Sequence, residues 1–191
     1  MKKVFFYSIA LLVSAMLMVG CKGKNEPQTP VQPEQQDTTE VKPAGVLFYY
    51  QFDVTDDMRK VGEFTVSYYD KEGNVQTEKL TDSNTWKKTI VSGYPTKFGV
   101  KVDLALKADF DSTQFEVFQA LTYYEYKVYT VDAEGNRLKN GKGKSYISSA
   151  SPIQMAPGMI EKYFEKYKNK PFHQNVIIVD KDCNMEEKSE W

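Results

Sequence analysis

Few side chains in this 191-residue chain are of a type that does chemistry. There is one histidine, His173, and there are two cysteines, Cys21 and Cys183. Nucleophilic catalysis of the Ser-His-Asp or Cys-His kind needs a histidine within reach of a nucleophile and an orienting group. His173 follows Pro171 and Phe172 and reads as a solvated loop residue without such partners. Carboxylates cluster at Asp53, Asp56 and Asp57 and again at Asp109 and Asp111. Two of them could serve as the acid and base of glycoside hydrolysis, yet each cluster sits at a strand end, where aspartate is favoured by turn chemistry. No His/Cys spacing suits zinc, and Asp70-Lys71-Glu72-Gly73-Asn74 lacks the alternating oxygen ligands of a calcium loop. The sequence therefore assigns no catalytic residue, no metal and no cofactor, and the chain reads as a non-enzyme.

Cys21 carries a different chemistry. Lys2 and Lys3 precede an apolar run from Val4 to Val19, interrupted only by Ser8 and Ser14, and Met18-Val19-Gly20-Cys21 closes it. The run is too short for a membrane span and has the charge and length of a secretory signal. Its last four residues resemble the lipobox of bacterial lipoproteins, with Met18 where leucine is commonest. That resemblance implies cleavage after Gly20, acylation of Cys21, and a place in the envelope of a Gram-negative bacterium as an outer-membrane lipoprotein, periplasmic or surface-facing. The membrane is thus an expected partner through Cys21, held stably once two or more acyl chains insert. Without residues 1–20, the 25 basic residues less Lys2 and Lys3 face 26 acidic ones. This mildly acidic balance excludes the clustered basic face that nucleic acid requires. Acylation leaves Cys183 as the single thiol, so no intramolecular disulfide forms, and its acidic neighbours Asp180, Asp182, Glu186 and Glu187 mark it as an inert tail residue.

The elements that position these groups follow from composition and period. After the signal peptide (1–20), residues 21–45 contain four prolines and no aromatic residue, and so form the lipidated cysteine and a disordered tether. Extended as polyproline, that tether reaches about 70 Å. A β domain spans 46–150. Phe48, Tyr50, Phe52 and Val54 alternate with polar residues, as do Phe64, Val66 and Tyr68, and then Phe98, Val100, Val102, Leu104 and Leu106. Period two with one dry face predicts antiparallel strands over a single core. Strands are expected near 46–54, 63–69, 75–80, 85–91, 97–107, 114–131 and 137–148, the sixth breaking near Ala120 to Thr122. Two turns share one solution, Asp70 to Asn74 and Asp132 to Asn136, each with glycine where a tight hairpin needs positive φ. A helix-strand extension covers 151–180. Its helix carries Ile160, Tyr163, Phe164 and Tyr167 on one face, and its strand is Val176 to Val179. A polar tail, 181–191, follows.

Tyr50-x-Phe52-x-Val54, Phe64-x-Val66-x-Tyr68-Tyr69-Asp70 with Gly73-Asn74, and Trp86-Lys87-Lys88 together are similar to the immunoglobulin-like or fibronectin-type sandwich domains of Gram-negative envelope lipoproteins. The resemblance covers about 46–132 and implies an antiparallel immunoglobulin-like sandwich, here followed by one amphipathic helix and a final strand. The element order also resembles a lipocalin-like barrel, although the Gly-x-Trp of a lipocalin first strand is missing.

Aromatic residues exceed what a bland domain needs, with 13 Tyr, 11 Phe and 2 Trp. Phe48-Tyr49-Tyr50 and Tyr123-Tyr124-x-Tyr126-x-x-Tyr129 place tyrosines on both faces of their strands. Tyr49, Tyr123 and Tyr129 are therefore the candidate binding surface, for a glycan or a protein, unless the C-terminal helix docks on the strand at 123–129 and covers them. The expected function is a lipid-anchored envelope binding or structural module without catalysis. The alternatives are a lipocalin-like carrier of a small apolar ligand and a carboxylate-pair hydrolase acting on glycans. Replacing the acylated thiol tests the anchor: Cys21→Ser is expected to move the protein out of the membrane fraction or to block processing. A processed Cys21→Ser protein of unchanged mass that still sediments with membranes would sink the assignment.

Overall fold

A computed structural model describes residues 41–148 and 151–191; Cys21, the expected signal peptide and most of the expected tether lie outside the described residues. The chain begins in β1 (Gly45–Val54), where Val46, Phe48, Tyr50, Phe52 and Val54 are all buried and the intervening residues mostly half-exposed. A short helix, α1 (Asp56–Val61), turns it toward the second layer. Thr55 caps α1 by accepting from the Met58 amide at 3.1 Å, and Asp56 and Asp57 fill its first turn. Then come β2 (Gly62–Tyr69), β3 (Val75–Leu80), β4 (Thr85–Ser92) and β5 (Thr96–Leu106). The long sixth strand of the sequence reading is two strands, β6 (Phe118–Ala120) and β7 (Thr122–Val131), broken at Leu121. β8 (Gly143–Ile147) is shorter than expected because Leu138 to Gly141 form a turn. β9 (Ile153–Met155), α2 (Ile160–Glu165), β10 (His173–Val179) and β11 (Met185–Lys188) complete the chain.

Strand order defines the architecture. One sheet runs β4-β1-β7-β8 and the other β11-β10-β5-β2-β3, all neighbours antiparallel, with β6 and β9 forming a small separate ribbon. The two sheets face each other through aromatic side chains. Phe48 of the first stacks on Phe98 of the second with ring centres 5.3 Å apart, and Phe52 meets Phe64 at 5.8 Å. The fold is thus a mainly β, antiparallel sandwich with a short C-terminal helix and strand. A lipocalin-like barrel is ruled out: among the described residues no strand of one sheet pairs with a strand of the other, so the sheets do not close into a cylinder.

Three hairpins share one turn. In Asp70–Asn74, Asp132–Asn136 and Asp180–Asn184, the leading aspartate Oδ1 accepts amides two and four residues on. Gly73 and Gly135 hold the left-handed position at φ 83° and 85°. Cys183 holds it in the third hairpin at φ 58°, where a side chain is sterically disfavoured. The thiol is buried rather than free in a tail, and burial raises its pKa. The chain beyond Glu165 is integral to the second sheet. β10 pairs with β5, β11 pairs with β10, and Trp191 stacks on Tyr69 at 4.7 Å.

Trp86 is 7% exposed, tilted against Tyr50 and Tyr68, with its indole N–H donating to Glu78 at 2.7 Å. Trp86→Ala is expected to lower unfolding free energy by about 3 kcal/mol, typical of a truncated buried aromatic. Chemical denaturation checks this, and a change under about 1 kcal/mol would contradict the packing role.

Candidate functional site: two outward faces

The first candidate surface is the outer side of the β4-β1-β7-β8 sheet. The register places Tyr49 opposite Lys127, Gln51 opposite Glu125 and Asp53 opposite Tyr123, with Leu47 opposite Tyr129. Since alternate residues share a face, Tyr49, Tyr123 and Tyr129 all point away from the core. The three expected binding-surface tyrosines are brought together, each half-buried. Tyr49 donates to Gln51 at 2.6 Å, and Gln51 donates to Asp53 at 2.7 Å. Tyr123 donates to Glu125 at 2.8 Å, and Lys127 reaches Glu125 at 3.2 Å while lying over the Tyr49 ring. Arg137 lies over Tyr129. Burial, with Glu125 next, raises the Tyr49 hydroxyl, and the Glu125 hydrogen bond raises that of Tyr123. Both phenols therefore stay protonated donors near neutrality. Val91 and Ile147, 46% and 56% exposed, flank the face on the outer strands.

The helix does not cover this face. α2 packs against β5 at the far end of the sandwich. There Ile160 and Phe164 are buried, Phe164 beside Phe118, while Tyr167 meets Phe172 at 4.6 Å. Phe172 in turn reaches Phe52 and Phe64. The apolar stripe was legible in the sequence, but its receiver is the open end of the core and not the strand at 123–129.

The second candidate surface lies on the outer side of the other sheet. An open groove of about 530 Å³ runs along β5 and β2 between Trp191 and the segment Tyr167–Pro171. Its floor and walls include Lys101, Asp103, Glu63 and Gln174. Gly99 makes the Trp191 end possible, because a side chain there would come within 3.3 Å of the indole ring. Gln174 donates to the Ser189 carbonyl and so holds the last residues beside β10. Trp191 falls in the stretch that the sequence reads as a polar tail, and the groove depends on a long-range return of the chain that no local pattern reveals.

His173 is not a solvated loop residue. It opens β10 on the inner face, with its ring 3.7 Å from Tyr124 and 5.8 Å from Tyr50, and Nε2 is buried without a hydrogen-bond partner among the described residues. Burial pushes its pKa down to about 4. Within the carboxylate clusters, Asp53 accepts from Gln51, Asp56 from Asn84 and Asp57 from the Gln119 amide, while Asp111 caps the turn at Thr113. Among the described residues no group of three or more His, Cys, Asp or Glu is placed to hold a metal ion, and no helix is long and apolar enough to cross a membrane. Compared with protein-family models, curated proteins and solved structures, the chain matches none.

The depressed pKa of buried His173 predicts a pH-dependent stability. Neutral in both states above pH about 6.5, the imidazole costs nothing there; between that value and about 4 the unfolded chain binds the proton and the folded chain does not. Stability is therefore expected to fall as pH drops through this window, by roughly 3 kcal/mol in total. His173→Phe should remove that component of the pH profile, and a variant whose profile still matches the parent's across the window would refute it.

Proposed function

We propose that this protein is a lipid-anchored, non-catalytic binding module of the Gram-negative cell envelope, an outer-membrane lipoprotein, that recognises a protein partner through its outward tyrosine face. The anchor rests on the lipobox-like Met18-Val19-Gly20-Cys21. The recognition surface rests on one observation: Tyr49, Tyr123 and Tyr129 share the outer face of the β4-β1-β7-β8 sheet, and α2 packs elsewhere. Tyrosines with apolar rings and polar tips are enriched at protein interfaces because each contributes contact area and a hydrogen bond at small conformational cost. Val91 and Ile147 extend the apolar part of the face, while Lys127 and Glu125 supply paired charge within it. A broad face with half-buried tyrosines suits a protein better than a sugar, which favours concavity. Immunoglobulin-like kinship, carried by the tyrosine strand and the Asp-Gly hairpins, would fit the same role. A carrier role finds less support, because Phe48, Tyr50, Phe52, Phe64 and Phe98 fill the space between the sheets.

Tyr49→Ala and Tyr129→Ala are expected to leave the melting temperature nearly unchanged and to abolish capture of the partner. The readout is site-specific photo-crosslinking in the host envelope from position 91, at the margin of the face, with all three tyrosines in place. A discrete adduct that Tyr49→Ala and Tyr129→Ala each remove would support the reading. No adduct from 91, or one indifferent to both substitutions, would overturn it.

A further inference from the structure

The groove on the other sheet is chemically distinct from the tyrosine face. Trp191 bounds one end, stacked on Tyr69 at 4.7 Å with an interplanar angle of 23° and seated over Gly99. Tyr167 bounds the other, fixed against Phe172. Between them the strand from Gly99 to Ala105 spans about 20 Å. Along it stand planar or flexible polar groups, the carboxylates of Asp103 and Glu63 and the amide of Gln174. Two fixed aromatic rings with hydrogen-bonding groups between them offer stacking surface for a flat apolar patch and donors and acceptors for a ring of hydroxyls.

Most charges that line the groove already have a partner, either inside it or beside it. Lys101 pairs with Asp103 at 3.3 Å, Glu63 with Lys79 at 3.7 Å, and Lys168 with Glu165 at 3.4 Å. Lys170 lies over the Tyr167 ring. A ligand of high charge would have to break these pairs, whereas a neutral one rich in hydroxyls can bond to their outer lone pairs and protons without separating them. We propose that this groove binds an uncharged oligosaccharide chain, with Trp191 as its stacking platform. This site is independent of the tyrosine face, which lies on the opposite layer.

The test uses the full chain, labelled with ¹⁵N and kept in a detergent without a sugar headgroup. Linear uncharged oligosaccharides of glucose, mannose, xylose and N-acetylglucosamine are titrated one at a time, with oligogalacturonate as the anionic comparison. The indole N–H signals give two reporters, Trp191 in the groove and Trp86 in the core. At least one neutral probe should shift the Trp191 signal saturably and leave that of Trp86 in place. Followed through the backbone amides of β5, Trp191→Ala should weaken that binding by at least about tenfold, as loss of a stacking ring does. Asp103→Ala, an exposed wall substitution, should weaken it without altering the melting temperature, which keeps the test valid even if Trp191→Ala disturbs the tail. Tyr129→Ala should leave it unchanged. The proposal is overturned if no neutral probe moves the Trp191 signal, if binding survives both groove variants intact, or if only oligogalacturonate binds.

Discussion

Two stacked sheets have four free edges, and this sandwich depends on how the gaps between those edges are held shut. On one side the gap lies between β3 and β4. Glu78 of β3 accepts from Lys88 at 2.6 Å and from Trp86 at 2.7 Å, both on β4, and from Tyr68 of its own sheet at 2.7 Å. On the other side Glu187 of β11 accepts from Tyr126 at 3.0 Å and from Asn175 at 2.6 Å. Each outermost strand of the five-stranded sheet thus contributes one carboxylate that gathers donors from the opposite layer. Charge-assisted bonds of this kind are stronger than neutral ones. They also let tyrosine and tryptophan bury their rings without stranding their polar tips. Burial works against the Glu78 carboxylate, but its three donors outweigh that effect and hold its pKa down at about 2. On the Glu187 side, burial and then the hydrogen bond raise Tyr126 to about 12, so the donor keeps its proton.

These clasps explain why the interior can be so aromatic. Phe48, Tyr50, Phe52, Phe64 and Phe98 fill the space between the layers, and rings of that size hold the sheets apart by a fixed distance. The ends of the sandwich are then the remaining leaks. At the end carrying α1, the leak is plugged by Phe118, Phe164 and Phe172, delivered by β6, α2 and the residue just before β10. α2 is only six residues long and could not persist alone in water. Its stability comes from this plug, which is why its apolar stripe seeks the core end and leaves the tyrosine face open.

The sequence displayed what depends on local period. The inner residues of β1, β2 and β5 were legible because one face of each is continuously apolar, and the outward tyrosines followed from the same alternation. Two of the three aspartate hairpins were legible through glycine; the third was hidden because Cys183 stands in glycine's place. β10 was partly hidden for a related reason. His173 and Asn175 occupy inner positions, so the period continued by Ile177 and Val179 begins with polar residues and reads as loop. α1 is one and a half turns long, too short for periodicity, though Thr55 followed by two aspartates was a capping signal. The groove is the extreme case. It joins Trp191, Tyr167 and the strand near Gly99, three regions brought together only by the strand order β11-β10-β5-β2.

The strand order also settles how the two outward faces stand relative to the chain's entry. β1 starts at Gly45, opposite Val131 of β7, and the nearby Tyr94 donates to the Pro43 carbonyl at 2.6 Å. All three aspartate hairpins lie at this same end, because β2, β7 and β10 each finish there before reversing. The tyrosine face lies along the strands of one sheet and the groove along those of the other, on opposite outer surfaces. Binding at one would not obstruct the other, because the aromatic core and two glutamate clasps separate them.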